Sequence, residues 1–348
     1  MILMRANISD NKNKFIIDTS IHKYTWKYYY RQYNNVLDFI IKIGNHKNYA
    51  LNSMAYPILF VFRHTIELML KNNLQKNINT HSIKDLVEAN RISKEFLNNI
   101  EILDCDNKGS GLRYYTSYNH KNDTLEVLPI IHYFIDFTSK NMPFALTLKE
   151  NVDMSDKILA WEWTFHMHEC WNIGIVKTQY DSMANLLCKG IINSELSVDD
   201  IYLPLLFLIR HSLELGLKDN LGEVTFLLSN KKKKRLRKEH SPIPLYSDFN
   251  NFIEEALLCI KEKDLHEETC AKNENLLNLV SNIKNIDDTS QYFRFPADKK
   301  GNSTNVIQDN NILLNLLELY YETDSFLSFA IPALQKYGYI STSNEKYI

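Results

Sequence analysis

The sequence predicts an all-α protein composed of two tandem helical bundles related by internal pseudo-twofold symmetry. The 348 residues include only nine glycines and eight prolines, and apolar residues recur at helical period over the long stretches between them. Segment 54–74 (MAYPILFVFRHTIELMLKNNL) also aligns without gaps on segment 201–221 (IYLPLLFLIRHSLELGLKDNL), with 11 of 21 positions identical. This repeat indicates that one ancestral unit was duplicated, and the chain is long enough for two domains with cores of their own.

Each unit is predicted to open with a pair of helices. The first helix covers 26–43 in the first unit and 172–189 in the second, because a Gln-Tyr pair and a lysine recur at a spacing of 147 residues. The second helix is the repeated segment itself, which we call the Arg-His helix in each unit. Short connections between helices of this length are typical of a bundle.

The sequence after the Arg-His helix repeats at a wider spacing. A His-Ser pair occurs at His81 and again at His240, and serine is a favoured N-cap, so each pair predicts the start of a helix. Arg113 and Arg294 follow in polar segments, each just before an aromatic residue. A last helix is predicted in each unit, over 125–138 and 310–330.

These elements define two predicted domains, 1–150 and 151–348. The second domain carries a basic insertion, 222–239, in which run 231–238 (KKKKRLRK) has seven positive charges in eight residues. A run of this kind is typical of a solvated, mobile loop, and its charge also suits contact with phosphates. We expect it to contribute little to the stability of the fold.

The Arg-His helix concentrates its charges on one side. At 100° per residue, its polar side chains fall within about one quadrant, with apolar residues around the rest. A helix exposed to solvent usually has a polar half, so this narrow sector predicts a helix packed on most of its circumference. The side chains in the quadrants are Arg63, His64, Glu67 and Lys71 in the first unit and Arg210, His211, Glu214 and Lys218 in the second.

Two interpretations of the quadrant are open. Glutamate lies four residues from both arginine and lysine, the spacing at which opposite charges meet, so the set could be an ion-pair ladder that holds the bundle together. Alternatively, arginine recognises phosphate, histidine transfers protons near neutral pH and glutamate orients both. The recurrence of all four residues in the second unit favours a functional role.

The pattern FxxRHxxELxLK, followed by His-Ser and then by an arginine before an aromatic residue, resembles the HEPN proteins (higher eukaryote and prokaryote nucleotide-binding) of bacterial toxin and anti-phage systems. The resemblance covers most of both units and implies an all-α bundle that pairs about a twofold axis. In many members it implies a metal-independent ribonuclease whose Arg and His are separated by four to six residues. This chain departs from that spacing, because its repeated Arg and His are adjacent. The pairs Arg113–His120 and Arg235–His240 have the family spacing, each in one unit only.

The preferred hypothesis is therefore an RNA-directed effector, a candidate metal-independent endoribonuclease. In it, His64 and His211, or the rival pair His81 and His240, move the proton of the RNA 2′-hydroxyl, while arginines stabilise the charged phosphorane. The candidate catalytic residues are Arg63, His64, Glu67, Arg210, His211 and Glu214. The candidate substrate-binding residues are Lys71, His81, Arg113, Lys218, His240 and Arg294.

The alternative hypothesis is a non-catalytic module that binds RNA or a nucleotide, or regulates a partner. We expect no metal or cofactor, although His166, His168 and Cys170 could contribute to a metal site if they lie on a strand. The expected partners are RNA, such as tRNA, or a nucleotide, together with a regulatory or antitoxin protein or a second copy of the chain. Five scattered cysteines and the lack of an apolar leader or spanning run predict a cytoplasmic protein with no membrane partner.

Overall fold

The computed structural model describes residues 2–20, 24–45, 51–74, 80–104, 111–114, 124–141, 162–166, 173–297 and 307–341. Its helices are α1 Ile2–Asp10, α2 Trp26–Asn45, α3 Ala55–Leu74, α4 Ile83–Ala89, α5 Lys94–Asp104, α6 Gly111–Tyr114, α7 Leu128–Asn141, α8 Ile173–Ile192, α9 Tyr202–Glu223, α10 Asn230–Lys238, α11 Pro242–Leu257, α12 Lys263–Asp287 and α13 Ile312–Lys336. Strands β1 Thr124–Glu126 and β2 Thr164–His166 form one antiparallel pair. The predicted all-α class is confirmed.

The two Arg-His helices, α3 and α9, lie at the centre of the described fold. Pro57 and Pro204 are the third residues of these helices, where the missing backbone N–H has no partner within the helix. Nearly every side chain of both helices is buried. α3 packs on α2 and α4, whereas α9 packs on α8, α11 and α13. The prediction that these helices are packed on most of their circumference is confirmed.

α3 and α9 also connect the part of the chain before residue 142 to the part after residue 172. α3 packs against α8, and α9 packs against α2. The rings of Phe60 and Phe207 stack with centroids 4.5 Å apart. The side-chain oxygen of Gln32 accepts a hydrogen bond from the backbone N–H of Leu203 at 3.2 Å, in the first turn of α9.

The first turn of α3 is capped in the same way. The side-chain oxygen of Gln179 accepts a hydrogen bond from the backbone N–H of Tyr56 at 2.9 Å. The first N–H groups of a helix have no partner within it, so each glutamine satisfies a group that burial would leave unpaired. The Gln-Tyr pair that repeats in the sequence thus has a contact across the two parts of the chain.

Residues 2–20 pack on the later part of the chain. α1 lies against α13 and α8, the Lys14 ammonium donates to the Ile192 carbonyl and to Ser194, and the Ile17 N–H donates to the Asn310 carbonyl at 2.9 Å. Nothing in the repeat predicted this contact. The predicted domain boundary at residue 150 lies between 142 and 161, outside the described residues, and stays a prediction.

The expectation of a mobile loop in the basic insertion is corrected by the structure. Residues 230–238 form helix α10, which the Ser229 hydroxyl caps by accepting from the backbone N–H of Lys232 at 3.3 Å. Leu236 packs against the core, and the Lys232 ammonium pairs with Asp248 at 3.1 Å. The run of charges alone did not reveal this apolar contact, the ion pair or the helix cap.

Gly216 in α9 provides a test of this packing. A Cβ atom there would lie 2.6 Å from Cγ of Leu327 and 2.9 Å from Cε of Lys177, so Gly216→Ala is expected to destabilise the fold by about 1–3 kcal/mol through overpacking. At Gly222, in the same helix, an added Cβ would meet no packing neighbour within 4 Å. Gly222→Ala should therefore stabilise the fold by up to about 1 kcal/mol through helix propensity. Urea unfolding followed by circular dichroism checks both values; equal effects would contradict the packing.

Candidate functional site

The four charged side chains of α3 form a network around one carboxylate. Glu67 is bonded to the Arg63 guanidinium at 3.0 Å and to the Lys71 ammonium at 2.9 Å. Nδ1 of His81, the residue that precedes the N-cap of α4, lies 2.8 Å from the same carboxylate. The Arg63 guanidinium also donates to the backbone carbonyl of His81. One buried acid thus holds two cations and one imidazole.

A second network surrounds Glu214 in α9. Arg210 lies 2.9 Å from this carboxylate, Lys218 lies 2.8 Å from it, and Nδ1 of His240 lies 3.0 Å from it. The Arg210 guanidinium donates to the backbone carbonyl of His240, as Arg63 does to His81. The contacts of the two networks therefore correspond residue for residue.

Exposure divides the members of each network. The side chains of Arg63, Glu67 and Lys71 are at most 4% exposed, whereas that of His81 is 27% exposed. In the second network the side chain of His240 is 44% exposed, and its three charged partners are buried. The histidine bound to the carboxylate through Nδ1 is thus the most exposed member of each network.

The cations keep both carboxylates ionised. Burial by itself would raise the pKa of Glu67, but the charges of Lys71 and Arg63 and the hydrogen bond from Nδ1 of His81 hold this pKa well below its usual value. Burial likewise opposes the ionisation of Glu214, whose pKa Lys218, His240 and Arg210 hold well below the usual value. Since an ionised carboxylate only accepts hydrogen bonds, Nδ1 of His81 and of His240 must carry a proton. In the neutral imidazole, Nε2 then carries the lone pair.

The other two histidines have a different environment. His64 and His211 are at most 1% exposed, and each places Nε2 against a backbone carbonyl of the distant part of the chain, at 3.0 Å from that of Arg294 and 2.9 Å from that of Arg113. A carbonyl only accepts, so Nε2 is the protonated nitrogen. Burial lowers the pKa of His64 to about 4, against the opposite effect of Glu67, and lowers the pKa of His211 to about 3, against that of Glu214.

Aromatic rings enclose these two imidazoles. His64 stacks on Phe60 with ring centroids 5.4 Å apart, and His211 stacks on Phe207 at 5.5 Å. Because Phe60 and Phe207 stack on each other, the four rings form one column. The edge of Tyr33 meets His64, with centroids 4.5 Å apart, and an equivalent contact joins Tyr180 to His211 at 4.6 Å. At each end of the column, the histidine Nε2 donates to a backbone carbonyl of a polar segment, that of Arg294 for His64 and that of Arg113 for His211.

The segment after α12 links the two networks. Arg210 donates to the carbonyls of Asp287 and Asp288 at the end of that helix. The C-terminal end of a helix carries partial negative charge and therefore favours a cation. A few residues later, Phe295 covers the first network: its ring centroid lies 4.7 Å from the Lys71 ammonium and 5.2 Å from the centroid of His81. The guanidinium of Arg294 is buried and lies 5.1 Å from the same ring.

The structure therefore gathers the predicted site residues into two clusters. Sequence reasoning missed Asp287, which lies at no position that the repeat singles out, and it assigned no role to Phe295, the aromatic residue that follows Arg294. The sequence did not show which polar segment each Arg-His helix contacts, and in the structure His64 and His211 each reach the segment of the other unit. His120 lies outside the described residues, and the side chain of Arg235 is not described, so the two family-spaced pairs remain untested.

A further buried polar cluster was also missed. The Lys177 ammonium lies 2.7 Å from Asp181 and 2.8 Å from Asp324, and the Ser212 and Tyr320 hydroxyls both donate to Asp181. All of these groups are buried inside the bundle formed by α8, α9 and α13. The i,i+4 spacing of Lys177 and Asp181 was a signal for their pairing, but their partner on α13 was visible only in the structure.

Neither a metal site nor a bilayer-spanning helix is found in the described part of the chain. No group of three or more potential ligand side chains converges among the described residues, and His168 and Cys170 of the candidate metal set lie outside them. His166 ends strand β2, although its side chain is not described. Among the described helices, none combines the length and hydropathy needed to cross a membrane.

Comparison with known proteins identifies no relative: no family model matches the chain, and no curated protein or solved structure shows significant similarity to it.

The pKa values of His64 and His211 generate a pH prediction. Below the ordinary histidine pKa of about 6.5, these two histidines bind protons in the unfolded chain but stay neutral in the folded protein. The free energy of unfolding therefore falls as the pH decreases toward their folded pKa values. Each histidine contributes a loss of at most about 1.4 kcal/mol per pH unit. The variant His64→Gln with His211→Gln keeps a donor for each carbonyl but does not titrate.

This prediction is checked by urea unfolding of parent and variant at pH 7 and pH 5. Both pH values lie above the range in which the depressed pKa values of Glu67 and Glu214 make the stability depend on pH. The difference between the proteins therefore reports the two histidines. Equal pH dependence in both proteins would mean that His64 and His211 take up protons in the folded state.

Proposed function

We propose that the protein is an RNA-directed effector that cleaves RNA without a metal ion, with His81 and His240 as its proton-transfer residues. A single observation carries the proposal. In two places, a partly exposed histidine is held through Nδ1 by a buried carboxylate, which is flanked by arginine and lysine. A histidine oriented by an acid in this way can accept a proton at Nε2.

The reaction we propose is transfer of the phosphodiester to the 2′-hydroxyl. The 2′-oxygen forms a bond to phosphorus, its proton passes to Nε2 of the histidine, and the bond from phosphorus to the 5′-oxygen breaks. The imidazolium then returns the proton to the departing oxygen. The products are a 2′,3′-cyclic phosphate and a 5′-hydroxyl, and the step consumes neither metal nor cofactor.

In this proposal, Arg63, Glu67 and their counterparts Arg210 and Glu214 are positioning residues. They hold the backbone carbonyl and the Nδ1 proton of the reacting histidine. The negative charge of the phosphorane is stabilised by a nearby cation. In this proposal Lys71 or Lys218 supplies an ammonium group, and Arg113 and Arg294 are the candidates for a guanidinium group. His64 and His211 are buried and neutral at pH 7, and so are the weaker candidates for proton transfer.

We also propose that the two units are duplicated bundles related by a pseudo-twofold axis that passes between Phe60 and Phe207. The proposal is supported by the equivalent contacts across the units: the two glutamine caps, the two histidine contacts to distant carbonyls and the two Glu-centred networks. The axis would exchange α3 with α9. A crystal structure in which 26–141 does not superpose on 173–336 would contradict it.

The HEPN resemblance supports the biological setting that we propose, a toxin or phage-defence protein acting in the cytoplasm under the control of a regulatory partner. The described cysteines Cys188, Cys259 and Cys270 are free thiols, which accords with a reducing compartment.

The second candidate function is a non-catalytic module that binds RNA or a nucleotide. Burial of Arg63, Glu67, Lys71 and their counterparts favours it, since a buried ion-pair network is a structural device in many proteins. On this view, His81 and His240 complete the network and transfer no proton.

The predicted result that separates the two functions is the loss of RNA cleavage without loss of folding. The purified protein is incubated with total RNA and with tRNA in the presence of EDTA, and the new ends are sequenced. His81→Asn with His240→Asn should abolish cleavage while the thermal midpoint changes little, because both side chains are partly exposed. Arg63→Ala with Arg210→Ala should instead destabilise the fold, by roughly 3–5 kcal/mol for each site, because each change removes a cation from a buried carboxylate.

Each remaining outcome has a consequence. Cleavage that survives in the His81 and His240 variant but is lost in the folded His64→Gln and His211→Gln variant would transfer the chemistry to the Arg-His helix. Cleavage that survives in both variants would end the assignment to either pair. A parent protein that binds RNA but leaves it intact would favour the non-catalytic module.

A further inference from the structure

The basic helix α10 presents its lysines on one surface. Lys231, Lys234 and Lys238 are exposed, and their i, i+3, i+7 spacing places them within about 60° on the helix and along about 10 Å of its axis. Leu236 points to another side and packs against the core. The helix is thus a fixed strip of positive charge.

Positive charges lie close together along α10, where seven of the nine residues are lysine or arginine. Lys232 pairs with Asp248, but like charges recur at i,i+4 along the helix, a spacing at which they repel each other. A polyanion laid along the exposed lysines would remove this repulsion and release its own counterions.

Acidic residues limit the direction from which a polyanion can approach. Beside the first turn of α10 lies a groove of about 550 Å³ whose lining includes Lys232, Glu254 and Glu255. The two carboxylates make this flank unfavourable for phosphates. The other end of α10 leads to His240, whose side chain is 44% exposed, through Glu239, whose carboxylate accepts hydrogen bonds from the backbone N–H groups of His240 and Ser241.

The sequence before the histidine of the first network has no equivalent basic run. Counted from the ends of the repeated segments, Leu74 and Leu221, the chain that leads to His81 is 12 residues shorter than the chain that leads to His240. The two histidines therefore differ in their electrostatic surroundings, although their contacts to Glu67 and Glu214 are the same.

We propose that α10 is the docking element for single-stranded RNA and that it delivers the strand to His240, so that the two histidines are unequal in function. Docking is independent of the chemistry at the histidines, whereas delivery rests on the function proposed above. RNA is the one partner class to which the proposal commits, because a strip of lysines that ends at a partly exposed histidine suits a strand whose phosphates are also the reacting groups.

The docking step is tested by fluorescence anisotropy with a fluorescein-labelled, mixed-sequence, single-stranded RNA at increasing KCl concentrations. The variant Lys231→Ser, Lys234→Ser and Lys238→Ser should bind more weakly, and its salt slope should be smaller by about 2, because three phosphate contacts at about 0.7 each are lost. The control Lys94→Ser, Lys261→Ser and Lys284→Ser removes three exposed charges elsewhere and should keep the parental slope. A parental slope in both variants would overturn the docking assignment.

Folding and partner class are controlled in the same experiment. All three substituted lysines of α10 are exposed, so the thermal midpoint should match that of the parent; if it does not, the milder pair Lys231→Gln and Lys234→Gln replaces the triple variant and should lower the slope by about 1.4. Vesicles of phosphatidylcholine and phosphatidylserine serve as the second probe. Loss of vesicle binding with unchanged RNA binding would overturn the proposal in favour of a lipid surface.

Delivery is tested by cleavage of the same RNA. His240→Asn should reduce the rate much more than His81→Asn, and the α10 variant should raise the RNA concentration at half-maximal rate. Equal losses in the two histidine variants would overturn delivery to His240. If the parent binds RNA through α10 but leaves it intact, the proposed nuclease and the delivery step fail together, whereas α10 docking stands on the salt slope alone.

Discussion

A carboxylate that is removed from water needs cations and hydrogen-bond donors in place of its lost hydration. Glu67 and Glu214 are both buried, and much of the described structure can be understood as the supply of those partners. The arginine and lysine come from the same helix, one turn before and one turn after the acid. The third partner is a histidine just before α4 in the first network and just before α11 in the second, so each carboxylate also fixes the course of the chain that leaves α3 or α9.

Burial gives the two kinds of histidine different chemistry. His64 and His211 lie in a column of aromatic rings, and each is used through Nε2 to hold a distant backbone carbonyl. Their lowered pKa values follow from loss of hydration, which outweighs the opposite effect of Glu67 on His64 and of Glu214 on His211. His81 and His240 are bound through Nδ1 to an ionised carboxylate and remain partly exposed. The proposed chemistry belongs to the second kind because accessibility and an oriented lone pair occur there together.

Equivalent contacts need not mean equivalent roles. The second unit has a basic helix beside its histidine and the buried Lys177–Asp181–Asp324 cluster, whereas the positions in the first unit that match Lys177 and Asp181 are Tyr30 and Asn34. The first network in turn lies under Phe295. After a duplication, one copy of a site is free to acquire substrate contacts while the other keeps the shared interface, and the proposed division between His240 and His81 follows this logic.

The sequence by itself determined the helical class and the burial of the two Arg-His helices, and its i,i+4 spacing offered the ion pairs within each helix as one of two interpretations. These properties depend on local periodicity: apolar residues around most of a helix require burial, and charges four residues apart meet on its surface. It also singled out His81, His240, Arg113 and Arg294, although without the contacts that they make. Only the tertiary structure decided which histidines are buried, that the Arg113 and Arg294 carbonyls bind the histidine of the other unit, and that the basic run is a helix anchored by Leu236 and Asp248. Exposure and long-range contacts depend on how helices far apart in the chain pack together, and no local pattern in one sequence encodes that arrangement.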